Sequence, residues 1–403
     1  MNSESQTLEF EQTVKASPAQ LYRAFTNATA LREWLADVAT TSPKVGGRCY
    51  LAWNDGYYSS GEFTRLAENE AIDFTWHGRG EPDPSTVKVT LTPVTEGTRV
   101  NVEHGPFGTG AEWSETAEAL EKGWRYALEN LASVMATGED LRFTRRPMLG
   151  IVLSDFNADT ATRLGVPVTQ GIRLDSVVAG MGAEAAGLQQ DDVIVAMAGH
   201  DVVDWSSLTN ALQAHQAGDT VEVVFYRGPE KRSVPMTLSG RPLPEIPATA
   251  TALAEAVQER YAQVESDLEQ FFAEVSVAEA RHKPAPDEWS AKEVLAHLIH
   301  SERGWHNGMA DMIGGHEPWY DDWSGNIQAR VAATVAAYPT VKELLDELKR
   351  HHAETVAMVA NLPRDFLDRK ATYWRLAYNL LDEPYHHETH MEQMRAAVAG
   401  ARQ

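Results

Sequence analysis

Tyr385-His386-His387-Glu388-Thr389-His390 lies inside a segment, Tyr373 to Val398, whose apolar residues recur at helical spacing. On a helix, residues four apart stand one above the other. His386 and His390 therefore point the same way, as two neutral imidazoles must to share one metal ion. A second helical run, Glu293-Val294-Leu295-Ala296-His297-Leu298, carries His297 on its apolar side. Two histidines on one helix and one on another make a three-nitrogen set with open positions, the pattern of a catalytic rather than a closed structural metal.

Around these runs the pattern predicts helices over Ala250–Glu274, Ala291–Ile313, Val341–Leu362 and Tyr373–Ala399. Ser290-Ala291-Lys292-Glu293 is a capping box that starts the second of them. Pro284, Pro286, Pro318, Pro339 and Pro363 fall between helices. The expected fold of residues 248–403 is an all-α, up-and-down four-helix bundle, where a core metal site is built from facing helices. The arrangement resembles the DinB/YfiT-like superfamily at Trp289-Ser290, Glu293-Val294-Leu295, His297-Leu298, and at His386, His390 and Gln393. The resemblance implies a divalent metal, zinc or nickel, on His297, His386 and His390, with water completing the shell. It also implies reactions of low-molecular-weight thiols: transfer, isomerisation of adducts, or hydrolase-like chemistry. His387 is an alternative to His386, since it falls three residues before His390. His300 sits one turn beyond His297, and His351-His352 is either a source of a fourth ligand or an exposed pair. Glu293 and Glu302 are candidates for bases or for groups that support the ligands, with a surface role favoured for each, and no catalytic residue is assigned.

Arg241-Pro242-Leu243-Pro244-Glu245-Ile246-Pro247 is a linker unsuited to helix or central strand. Ahead of it, over 143–241, come Met148-Leu149-Gly150-Ile151, Ala186-Gly187-Leu188, Asp192-Val193-Ile194, a helix at Trp205–Gln216 and strands at Val221–Tyr226 and Ser233–Leu238. This order resembles a bacterial PDZ domain, a β-barrel-like module, of the kind attached to HtrA proteases. The resemblance implies strand addition: a partner's C-terminal tail pairs with a sheet edge, and its carboxylate sits on backbone N–H groups. It places those groups at Met148, Leu149, Gly150 and Ile151, with Leu208 and Leu212 shaping the pocket for the last side chain. Arg145 and Arg146 are either an aid to the carboxylate or a solvated basic pair. No Gly-x-Ser-x-Gly precedes the module in this sequence.

Residues 1–142 begin with an alternating strand, Thr7–Lys15, and a helix opened by Ser17-Pro18-Ala19-Gln20, with serine as cap and proline in the first turn. A short helix at Asn27–Leu35 is followed by strand-like runs at Arg48–Trp53, Tyr57–Leu66, Ala71–Trp76, Ser85–Pro93 and Thr98–His104. Asn54-Asp55-Gly56 and Glu96-Gly97 are hairpin turns. An amphipathic helix, Glu112–Thr137, closes the unit. This order, together with Leu31-Arg32-Glu33-Trp34-Leu35, His104-Gly105-Pro106-Phe107 and Glu121-Lys122-Gly123-Trp124, resembles the START-like SRPBCC superfamily, in its branch related to activators of the Hsp90 ATPase. A helix-grip fold is implied, with an apolar small molecule held between sheet and long helix. Trp34, Trp53, Trp76, Trp113 and Trp124 are the candidate lining, and the alternative is that they fill the core. His77 and His104 are isolated and read as structural.

The totals agree with a multidomain α+β chain. Its 403 residues exceed one ordinary core, and 43% hydrophobic with 23% charged residues is ordinary globular composition. A net charge of −23 argues against nucleic acid or an anionic membrane as partner. The single cysteine, Cys49, excludes an intrachain disulfide and reads as a buried small hydrophobe. Without a leader pattern or a long apolar run, the expected location is the cytoplasm. The expected function is a metal-dependent thiol transferase or hydrolase in the last domain. The competing reading is a non-enzymatic ligand-sensing adaptor or a chaperone-associated protein.

Overall fold

The structure is a computed structural model that describes residues 6–108, 110–154, 156–212, 215–285, 288–316, 327–382 and 384–402; the side chains of 111, 112, 382 and 384–386 lie outside the described set. The chain forms two compact units, one of residues 1–139 with 244–403 and one of residues 140–243.

The first unit opens with β1 (Gln6–Val14), α1 (Pro18–Thr26), α2 (Ala28–Trp34), β2 (Val38–Thr41), β3 (Arg48–Ala52), β4 (Tyr58–Ala67), β5 (Ala71–Gly78), β6 (Ser85–Val94), β7 (Gly97–Phe107) and α3 (Ala111–Thr137). Ser17 and Gln20 exchange the two bonds of a capping box ahead of Pro18, as the local sequence dictates. The strands make an antiparallel sheet in the order β1-β7-β6-β5-β4-β3-β2. Strand β2 was not legible in the sequence because its four residues show no clean alternation of burial. The inner face of the sheet and the apolar stripe of α3 bury Phe10, Phe63, Val89, Val102, Leu128 and Leu131 in one core. Cys49 is 4% exposed, and burial pushes its thiol up to about 12, so it stays protonated.

The second unit contains α4 (Leu141–Thr144), β8 (Ile151–Ser154), α5 (Ala158–Leu164), β9 (Ile172–Val177), α6 (Gly182–Ala185), β10 (Val193–Met197), β11 (His200–Asp201), α7 (Trp205–Leu212), β12 (Thr220–Arg227) and β13 (Glu230–Thr237). Its sheet runs β13-β12-β10-β9-β8, with β11 on β10. Leu174, Ile194, Val223, Phe225 and Leu208 form its core. The Asp192 carboxylate is fully buried and takes two bonds from Arg227, at 2.7 Å each, a pairing that offsets its desolvation.

The chain then returns to the first unit with α8 (Ala250–Ala273), α9 (Val277–Arg281), α10 (Ala291–Ile313), α11 (Ile327–Ala337), α12 (Val341–Ala360), α13 (Arg364–Leu367), α14 (Lys370–Asp382) and α15 (Pro384–Ala401). Helix α10 packs on α11, α12 and α15, and α12 packs on α8. The predicted helix Tyr373–Ala399 is covered by α14 and α15, which lie on either side of residue 383, a position outside the described residues. Helix α14 serves two cores. Its Ala371 joins the N-terminal core, while Leu376, Ala377 and Leu380 pack with Leu253 and Val257 of α8. No helix among the described residues is long and apolar enough to cross a membrane.

Candidate functional site

Helix α10 starts at Ser290, whose side chain accepts from Glu293 N while Glu293 caps the Ser290 N–H. Its apolar residues Val294, Leu295, Leu298 and Ile299 face the bundle core. That phase leaves His297 half-buried, flanked by Trp289 at a ring separation of 4.9 Å. His390, on α15, brings its ring to 4.8 Å from that of His297, edge to face. Gln393 Oε1 stands 3.0 Å from His390 Nδ1; an amide oxygen only accepts, so Nδ1 carries the proton and Nε2 keeps its lone pair. A group that fixes the tautomer of a ring in this way is what a metal-ligating histidine needs. Of the three sequence-predicted ligands, the structure thus brings the rings of His297 and His390 together. The side chain of the third candidate, His386, lies outside the described residues.

His387 is 7% exposed and turns into the bundle interior. There it lines a cavity of about 30 Å³ with Tyr261, Leu298, Glu302 and His352, which is room for a water rather than a substrate. Glu302 is not a surface group: it is 5% exposed and accepts from the Tyr261 hydroxyl at 3.1 Å and from Thr355 Oγ1 at 2.8 Å. Glu293 is half-buried, held by the capping box and by Lys283 at 2.9 Å.

His351 and His352 are not an exposed pair. Being adjacent on a helix, they diverge. His352 is 5% exposed, stacks on Tyr261 at 3.9 Å and has Nδ1 2.9 Å from Glu265. His351 faces α10, where its ring lies 5.3 Å from that of His306. Around it, Glu347 collects Arg303 at 3.0 Å, the Tyr338 hydroxyl at 2.7 Å and Arg350 at 2.6 Å. Burial works against the charge on Glu347, yet these hydrogen bonds hold its carboxyl down at about 2. His306 and Glu354 were not singled out from the sequence. The i,i+3 spacing of His351 and Glu354 was there to be read, but nothing local pairs it with His306.

In the second unit, Leu149 and Gly150 are buried, and Met148 and Ile151 half-buried. Gly150 has φ +73°, and a Cβ there would sit 2.2 Å from that of Met181, so both the backbone and the space require glycine. Leu208 is fully buried, and Leu212 packs against the same core. Strand β8 is the edge of its sheet. It exposes Val152 and Leu153 at 45% and 39%, two residues not foreseen as part of a groove.

In the N-terminal domain Trp34, Trp76, Trp113 and Trp124 are at most 5% exposed, and Trp53 is half-buried. Trp76 lies 6.1 Å from Trp53 and 6.2 Å from Trp124. The indole N–H groups of Trp34, Trp53 and Trp124 donate to Ala24 O, Leu35 O and His104 Nδ1. Trp76 donates to Glu81 and to the Tyr57 hydroxyl, each at 3.1 Å.

Family comparisons match three segments of the chain. Residues 15–136 match the family described as activator of Hsp90 ATPase homolog 1-like protein, residues 147–238 the PDZ domain, and residues 260–394 the DinB superfamily. The serine protease Do-like HtrA of Lactococcus lactis subsp. cremoris is 30% identical over 149 residues, 36% of each chain. A probable periplasmic serine endoprotease DegP-like of Chlamydia trachomatis is 34% identical over 24% of this chain and 20% of its own. The chain thus spans about a third or less of the length of these curated relatives. Among solved structures, an HSP90 activator from Plasmodium falciparum is 28% identical over 32% of this chain and 95% of its own, with a TM-score of 0.28.

Proposed function

We propose that this chain, which joins an activator-of-Hsp90-ATPase-like domain, a PDZ domain and a DinB-superfamily domain, is a metal-dependent thiol transferase or hydrolase. Its reaction is seated in the DinB domain, and the other two domains recruit. The observation that carries the reading is the 4.8 Å approach of the His297 and His390 rings from two helices far apart in sequence. His297, His390 and His386 would hold the ion, zinc or nickel. A divalent ion on neutral imidazoles lowers the pKa of a coordinated thiol or water toward neutrality. The chain's own part is to hold two rings against one another, with Gln393 fixing the His390 proton on Nδ1 and Trp289 covering one face of His297.

The test is elemental analysis of untagged protein beside the H297A/H386A/H390A variant. The variant is expected to carry one equivalent of divalent metal less than the wild type, and to lose thiol consumption with a panel of electrophiles. Equal metal in both would remove the reading. Metal without turnover would leave the ligand-sensing adaptor in its place. Peptide capture by the PDZ domain is supported by the exposed Val152 and Leu153 on edge strand β8. Apolar-ligand capture by the N-terminal domain rests on its family alone, because its tryptophans are engaged with one another and with fixed polar partners.

A further inference from the structure

We propose that His306, His351 and Glu354 form a second divalent-cation site, of the zinc class, that clasps α10 to α12. Glu354 Oε2 stands 3.7 Å from His306 Nδ1 and 3.8 Å from His351 Nδ1. One ligand atom from each residue lies within 4.8 Å of the other two. Zinc bonds of about 2.0–2.1 Å at tetrahedral angles put neighbouring ligand atoms about 3.4 Å apart, so small side-chain rotations close the set. Two imidazoles and one carboxylate is a donor set that zinc takes with a fourth position open.

The remaining ring nitrogens are arranged as ligation requires. His306 Nε2 faces Thr355 Oγ1 at 2.9 Å and the His351 carbonyl oxygen at 3.3 Å. A carbonyl only accepts, so a proton on Nε2 satisfies it and leaves the Nδ1 lone pair turned to Glu354. His351 Nδ1 is buried and makes no hydrogen bond among the described residues. His351 Nε2 has two neighbours, Arg303 Nε at 3.1 Å and Glu347 Oε1 at 3.2 Å. With the ring proton on Nδ1, Arg303 donates to Nε2. With the proton moved to Nε2, that nitrogen donates to Glu347, Nδ1 is freed for the ion, and Arg303 keeps its own bond to Glu347. A carboxylate behind a ligating imidazole is the usual means of orienting it.

Arg303 brings positive charge close to the site, so affinity depends on two carboxylates: Glu354 directly and Glu347 through His351. The histidine side chains are 13% and 14% exposed and that of Glu354 is 60% exposed, which opens the site to an incoming ion on one side. No residue is shared with the His297 and His390 pair, which lies about 13 Å away along α10 by helical rise. The inference stands without the reading of that pair.

Cobalt(II), whose visible bands report four-coordinate binding, is the probe, titrated into full-length chelator-stripped protein. The H297A/H390A variant is expected to keep one cobalt equivalent. Adding E354Q or H306Q should weaken that binding at least ~10-fold, and E347Q by about 10- to 100-fold. A folded H297A/H390A variant that takes up no cobalt, or one whose affinity ignores E354Q and H306Q, overturns the site. Should H297A/H390A fail to fold, E354Q in the otherwise intact chain decides, because it changes one exposed side chain. Loss of one cobalt equivalent upholds the site, and unchanged stoichiometry removes it. Failure of the His297 reading would show separately, as metal content that ignores H297A/H390A.

Discussion

His104 shows how far residue-level reasoning reaches. An isolated histidine reads as structural, and it is: fully buried, 2.8 Å from Ser85 Oγ and accepting from Trp124 Nε1 at 3.0 Å. Burial pushes its pKa down to about 3. The folded state therefore keeps His104 neutral while the unfolded chain takes up a proton near the ordinary value of about 6.5. Its contribution is fully present above that pH and is lost as pH falls toward 3, by about 1.4 kcal/mol per unit. In urea titrations H104Q should be less stable than wild type at pH 7.5, with a gap that narrows by about 2 kcal/mol on going to pH 5. A gap that stays constant would mean that His104 is charged in the folded protein. Glu302 was misjudged at this same scale. A glutamate on a helix is usually solvated, and only the convergence of Tyr261 and Thr355 from two other helices makes its burial tolerable.

At the scale of elements, helix starts were legible because capping is local. Ser17, Ser290 and Thr340 each sit three residues ahead of a Gln or Glu that returns the bond. For the proposed peptide capture, edge strand β8 matters most. Its outer edge pairs with no strand among the described residues, and the Gly150 loop precedes it. A free carboxylate on that loop and a strand beside β8 imply that peptides ending in a free C-terminus bind at least ~10-fold better than their amidated forms, measured by fluorescence anisotropy with the full chain. Equal binding of the two forms would remove the carboxylate from the account. Gly150→Ala should destabilise the 140–243 unit by about 1–3 kcal/mol, because an L-residue at φ +73° is strained and its Cβ meets Met181.

At the scale of the whole molecule, the N-terminal domain and the helical domain are one compact unit although the PDZ segment separates them in sequence. Helix α14 joins them. Thr372 donates to the buried Glu33, Lys370 Nζ donates to Ala136 O at 2.7 Å, and Gly138, at φ +87°, lets the Lys370 carbonyl come within 2.3 Å of where a Cβ would stand. Thr372→Val should leave Glu33 short of a donor at a cost of about 1–3 kcal/mol. Amide exchange should then quicken together in the seven-stranded sheet and in α8; faster exchange in only one of them would show that the two domains unfold independently. The sequence by itself determined the three domain types and most helix starts, because periodicity, turn signals and caps are local. Only the tertiary structure decided that Glu302 is buried, that His351 and His352 diverge, and that His306 meets His351 and Glu354. Those outcomes depend on the rotation and crossing of packed helices, which side-chain interdigitation sets across the core and no local pattern encodes.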